Sequence, residues 1–210
     1  MTYFDDHAGL HDVHSLSAAV PEGPEEHQVF RLAQLALLLA VAADERVEVR
    51  TVDRLGFYDF FSANPFVVTA GDEPRDASDR LALRLAGFSD RQLSYASTGQ
   101  RFASRRRRLQ HDLSLLIAYG LAEIGERGYS LSPAGLSLAD SLSSVYACAY
   151  RSAAQIVLRR LKRLSDRRLR QQADDWLGRS WLLIDFLDDV AETTPTGNVN
   201  HVEGRRRAKR

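Results

Sequence analysis

Apolar residues recur at helical spacing along most of this chain, broken by one short alternating stretch and one stretch that folds back on itself. From Glu25 to Ala43 the run EEHQVFRLAQLALLLAVAA consists of good helix formers and opens with acids, where the helix dipole favours negative charge. It is apolar on most sides and predicts a central core helix. Arg46 to Arg50 alternates charge with Val47 and Val49, which predicts a short strand or extended connector. Thr51 is placed to cap a second helix running to about Ser62, and Asn64-Pro65 stops it. Gly71 to Ala77 reads as a turn, followed by two short helical pieces, Asp79 to Ala86 and Asp90 to Tyr95.

From about Ser97 the pattern sharpens. Phe102, Leu109, Leu113, Leu116 and Gly120 fall on one side of a helix, with Ser104, Arg107, His111, Ser114 and Ala118 opposite. Leu121 to Ile124 and Tyr129 to Leu131 are short extended runs joined by Gly125-Glu126-Arg127-Gly128, a predicted hairpin. Ser132-Pro133 then supplies a cap and a first-turn proline for a new helix. Helix, hairpin, helix in that order is a winged-helix pattern.

Tyr146, Ala149, Tyr150, Ala153, Val157, Leu161 and Leu164 form one stripe of 3- and 4-residue steps, whose alanines allow a second helix to approach closely. After Ser165-Asp166 a last helix is predicted to about Val190, pairing with its predecessor as a helical hairpin. Trp176, Trp181, Leu182 and Phe186 belong to an apolar set that covers more of its circumference than one packing contact needs, implying a second surface. The expected organisation is a flexible acidic leader over 1–24 and a helical, winged-helix-containing domain over 25–143. A C-terminal helical hairpin over 144–192 and a disordered basic tail over 193–210 complete it. The fold class is mainly α.

Composition narrows the function. With 28 Lys+Arg against 28 Asp+Glu the net charge is zero, yet residues 1–30 hold six acids and no Lys or Arg, while residues 151–170 hold eight basic residues and one acid. Such segregation bears on partners even when the total cancels. A single cysteine, Cys148, excludes an internal disulfide and a multi-thiolate metal site, and fits a reducing interior. The longest apolar run, nine residues from Leu35 to Ala43, is too short to cross a bilayer, and no secretory leader is visible. A cytoplasmic protein without a membrane partner is expected.

The chain has two lysines, Lys162 and Lys209, neither after a glycine-rich loop, which excludes a phosphate-cradling P-loop. His7, His11 and His14 share a spacing that a helix would gather, but nothing nearby would hold metal geometry. His111-Asp112 lacks the further ligands of a metal-dependent phosphohydrolase. Asp174-Asp175 and Asp188-Asp189 are helical neighbours that point about 100° apart and cannot easily share a proton or a metal. No catalytic constellation survives, so no enzyme, cofactor or metal is expected.

The basic clusters remain. Arg101, Arg105, Arg106, Arg107 and Arg108 lie at the start of the helix that would enter a DNA groove, and Arg127 occupies the wing tip. Arginine forks suit phosphates and guanine edges, although a charge run also serves as a solvated face. Arg151, Arg159 and Lys162 share the side of their helix away from the tyrosine stripe, where an acidic protein partner explains them as well as nucleic acid does.

The segment Asp53 to Val68, DRLGFYDFFSANPFVV, resembles the second helix of the middle components of bacterial ABC-three-component systems, most specifically at Arg54-Leu55 and Tyr58-Asp59. The preceding VFRLAQLALLLAVAA and the later SLSPAGLSLADSL are similar to that family in the same order. The resemblance implies a small non-catalytic adaptor between an SMC-like ATPase and an effector, often a nuclease, in Lamassu-type anti-phage defence; apart from the resemblance, double-stranded DNA is a further expected partner. Read by spacing alone, the helix is a core element in which Asp59 neutralises Arg50 or Arg54. The alternative is a winged-helix transcriptional regulator that dimerises through 144–190 and reads DNA through 101–118.

Overall fold

The computed structural model describes residues 23–89 and 97–178. Their elements are α1 (Gln28–Asp44), α2 (Val52–Ala63), α3 (Pro74–Leu85), α4 (Thr98–Ala118), β1 (Ala122–Gly125), β2 (Gly128–Leu131), α5 (Pro133–Ser141), α6 (Val145–Leu161) and α7 (Asp166–Leu177). The architecture is therefore mainly helical with one small antiparallel sheet. Helix α1 is buried continuously from Gln34 to Ala42, as its near-uniform apolar circumference requires. Helix α6 packs along α1 and α2, and α4 closes the other side of the same pair.

Capping side chains fix where the helices begin. Thr51, Ser97, Ser132, Ser144 and Ser165 each accept a hydrogen bond from a backbone N–H one turn on, at the starts of α2, α4, α5, α6 and α7. Asn64 ends α2, its side-chain amide donating to the Phe60 carbonyl at 2.9 Å. The stretch read as a turn up to Ala77 is shorter than expected. Glu73 and Asp76 form a reciprocal capping box and Pro74 occupies the first turn, so α3 starts there. The helical piece expected at Asp90 to Tyr95 lies outside the described residues.

The hairpin has the register Ala122↔Leu131 to Gly125↔Gly128, leaving Glu126 and Arg127 at the turn. Val49, in the alternating connector, makes an antiparallel bridge to Tyr129, whose N–H donates to the Val49 carbonyl at 2.9 Å. Gly128 sits at φ +100°, and a Cβ there would lie 2.1 Å from the Val49 oxygen, so only glycine allows this approach.

The last helix departs from expectation. It ends at Leu177, where Gly178 turns to φ +75°, instead of running on towards Val190. The remainder of that predicted helix lies outside the described residues. Leu169, Ala173 and Leu177 join the same hydrophobic cluster as α1, α2, α4 and α6, and α7 reaches across to α4.

Candidate functional site

Helix α4 carries the arginines that would read DNA, and most of them turn inward. Arg105 is the innermost: Nε and Nη2 donate to the two carboxylate oxygens of Asp59 on α2, the second at 2.8 Å, and Nη2 also donates to Gln34 Oε1 on α1 at 2.8 Å. Gln34 in turn donates its amide to the Tyr146 hydroxyl on α6. One polar chain thus stitches four helices. Burial alone would lower the Arg105 pKa, but the adjacent Asp59 carboxylate outweighs it and the guanidinium is held more firmly charged than usual. Burial raises the neighbouring Tyr146 and Tyr150 hydroxyls, so both stay neutral.

The other α4 arginines follow the same logic at the rim. Arg101 donates to Asn64 Oδ1, Arg106 to Asp53 Oδ1 at 2.7 Å and Arg108 to Glu26. Asp53 accepts a second arginine, Arg170 of α7, at 2.9 Å. One turn further along α4, Asp112 accepts both arms of Arg31, at 2.7 and 3.0 Å, and that hydrogen bond raises the Arg31 pKa. Arg107 is exposed on the polar side of the helix, as is His111. Asp112 is thereby a structural counter-ion, and it does not act with His111 as a pair.

The motif around Arg54 divides into two tasks. Arg54 Nε donates to the Tyr58 hydroxyl at 2.7 Å, Nη1 pairs with Asp166 at the start of α7, and Nη2 donates to the Leu164 carbonyl at 2.9 Å. It fastens the α6–α7 turn to α2. The expectation that Asp59 neutralises Arg50 or Arg54 is corrected here: Asp59 belongs to Arg105, and Arg50 pairs with Glu48 in the connector. Spacing within one helix pointed to local partners, whereas the burial of Asp59 requires a buried cation from another helix.

Among the residues expected to meet partners, Arg151 donates to the Leu142 and Ala139 carbonyls and so caps the C-terminus of α5. Arg159 pairs with Glu45 at 2.8 Å and stays about half exposed. Trp176 is half-buried, edge-on to Phe61 with centroids 5.3 Å apart, so this ring completes the chain's own core. Trp181, Leu182 and Phe186 lie outside the described residues. Arg127 is exposed at the hairpin turn, over a groove of about 740 Å³ between the end of α1, the connector and the hairpin. That groove mixes Arg46 and Arg127 with Glu48, Glu123 and Glu126, giving it no single sign.

Apolar side chains are exposed at Tyr119 at the end of α4, Ile124 in β1, and Leu136 and Leu138 on α5, and also at Val29, Leu81, Leu85 and Val145. Among the described residues no group of three His, Cys, Asp or Glu side chains is placed to hold a metal ion, and no helix is long and apolar enough to cross a membrane. His7, His11 and His14 lie outside those residues. Sequence reasoning did not single out Gln34, Asp53 or the pairing role of Asp112. The available signal was a lone glutamine inside an otherwise apolar, buried helix.

Comparison of the chain with protein-family models, with curated proteins and with solved structures gives no match.

Proposed function

We propose that this chain is a non-catalytic adaptor subunit that links an SMC-like ATPase to an effector, a nuclease by the resemblance, in a cytoplasmic anti-phage defence complex. One observation carries the choice of a protein-contacting role over a DNA-reading one. The side chains a recognition helix would turn outward, above all Arg105, are held inside by Asp59 and Gln34, while Tyr119, Ile124, Leu136 and Leu138 stand in solvent. A winged-helix reading is supported by the order α1, connector, α2, α3, α4, β1, β2, together with the bridge that sets Val49 beside β2 opposite β1. Coupling would follow from a change in the surface that the ATPase engages in its two states, which restrains or releases the effector.

The test is purification of the tagged full chain from its native host. Recovery with an SMC-like ATPase in fixed stoichiometry is the expected result. A stable homodimer that binds a palindromic duplex tightly, with no ATPase attached, overturns the adaptor reading in favour of a regulator.

A further inference from the structure

A second basic surface lies away from α4, where the ends of α1 and α6 meet the start of α3. Six residues line a cleft of about 360 Å³ there: Glu45, Arg75, Arg159, Arg160, Lys162 and Arg163. Five are cations and none is apolar. Arg160 is the fixed member, its side chain largely buried, with Nη1 donating to the Val68 carbonyl at 3.0 Å and to Asp76 Oδ1 at 2.6 Å, and Nε to Asp79. Arg159 and Lys162 both reach Glu45, at 2.8 and 3.4 Å. Arg75 is mostly exposed and only 3.9 Å from Asp79, and Arg163 is exposed without a hydrogen bond or ion pair among the described residues.

We propose that this cleft binds the phosphate backbone of a nucleic acid without reading its sequence. Protein interfaces have cores rich in aromatic and apolar side chains and poor in lysine, and this lining is the reverse. Arginine forks match phosphate oxygens in pairs, and Arg159 and Lys162 share a single carboxylate, Glu45, which leaves that trio with net positive charge. Asp76, Asp79 and the Val68 carbonyl occupy Arg160, which builds the floor of the cleft, while Arg75 and Arg163 are available to close on the ligand. The interaction is electrostatic, so its affinity falls steeply with salt.

Fluorescence anisotropy with a short labelled duplex of arbitrary sequence tests this on the full chain, and on a full chain whose tail residues Arg205, Arg206, Arg207, Lys209 and Arg210 are changed to serine. Arg75→Glu with Arg163→Glu is expected to weaken binding by about tenfold or more in both backgrounds and to flatten the salt dependence. The charge-matched control Arg50→Glu with Arg168→Glu, at two exposed arginines outside the cleft, should change it less than about twofold. Equal losses in the two pairs, or loss only in the control, overturn the proposal. So does displacement by poly-glutamate of a probe that unlabelled DNA fails to displace, since the occupant is then an acidic protein. Unchanged circular dichroism and melting temperature of the exposed-site variant separate binding from folding, and failure here leaves the adaptor reading untouched.

Discussion

Arg105 on α4 and Asp59 on α2 form a bidentate ion pair in the interior, with side chains 12% and 7% exposed. A pair of this kind is costly to break and inexpensive to replace. Removing one partner strands the other charge, which typically costs about 3–5 kcal/mol, whereas exchanging both for apolar residues of similar volume is often neutral or better. Asp59→Ala should therefore lower stability by about 3–5 kcal/mol in urea unfolding, and Asp59→Leu with Arg105→Met should recover most of it. Recovery is limited by Gln34, which loses its Arg105 donor. If the double variant is as unstable as Asp59→Ala, the pair is not the source of the loss.

The same pair explains what the sequence conceals. Arg101 and Arg105 to Arg108 read as a basic run, because a linear pattern gives the charge of a helix face without its counter-ions. The partners come from Asp53, Asp59, Asn64 and Glu26, which lie far away in sequence. Local signals fared better. Thr51 and Ser132 mark helix starts through bonds made within four residues, Pro133 fits the first helical turn, and the glycine-flanked hairpin forms where its turn residues put it. Gly178 is also a local signal, a helix terminator inside an apolar pattern that looked continuous. The apolar face of the tyrosine stripe on α6 was legible in outline. The pairing of Tyr146 with Gln34 was not, because it depends on how α1 and α6 are juxtaposed.

Gly128 gives a sharper test of the hairpin and its bridge to Val49. Gly128→Ala places a methyl group against the Val49 carbonyl at a positive φ, so the bridge between the connector and β2 must open or distort. A loss of about 1–3 kcal/mol is expected, with faster hydrogen exchange at the Tyr129 amide. Gly125→Ala, where nothing lies within 4 Å, is the matched control and should cost far less. Equal effects at both positions would mean that the close approach to Val49 is unimportant.

Glu45 ties the end of α1 to the end of α6. Its pKa is lowered first by the Arg159 hydrogen bond and further by Lys162, against a contribution from burial that raises it. A carboxyl with a depressed folded-state value binds its proton more readily in the unfolded chain. Its stabilising contribution is therefore present above its ordinary value near 4.5 and is lost as pH falls through the lower folded value. Glu45→Gln should show a shallower loss of melting temperature on acidification below about pH 4.5, measured against the wild-type chain. Identical acid profiles would assign the decline to other carboxylates, such as Asp76, which Arg160 also holds below the usual range.

Trp176 was expected to meet a partner, and its contact with Phe61 makes it a stability residue as well. Trp176→Ala should lower stability by about 3–5 kcal/mol if the indole is packed as a core side chain, with the lower end favoured by its partial exposure. Trp176→Phe should retain most of the stability because an aromatic edge remains for Phe61. An alanine variant with wild-type stability and lost complex formation would instead show that the ring works mainly between proteins.

Helix α6 approaches α1 and α2 through small side chains, and that approach limits what α6 can carry. Ala153 and Ala154 are both 0% exposed, and Ala154 lies in the main cluster beside Val157, Leu158 and Tyr150. A longer side chain at Ala154 has no free volume to enter, so α6 must move away from its neighbours and loosen their contacts. Ala154→Leu should therefore destabilise by about 1–3 kcal/mol despite adding apolar area, because strain outweighs the transfer gain. Ala154→Gly removes only a methyl group but adds unfolded-chain entropy, and should cost about 1 kcal/mol. Chemical unfolding at constant m-value distinguishes these outcomes, since a leucine variant that gains stability would require space between α6 and the α1–α2 pair that the buried alanines do not leave.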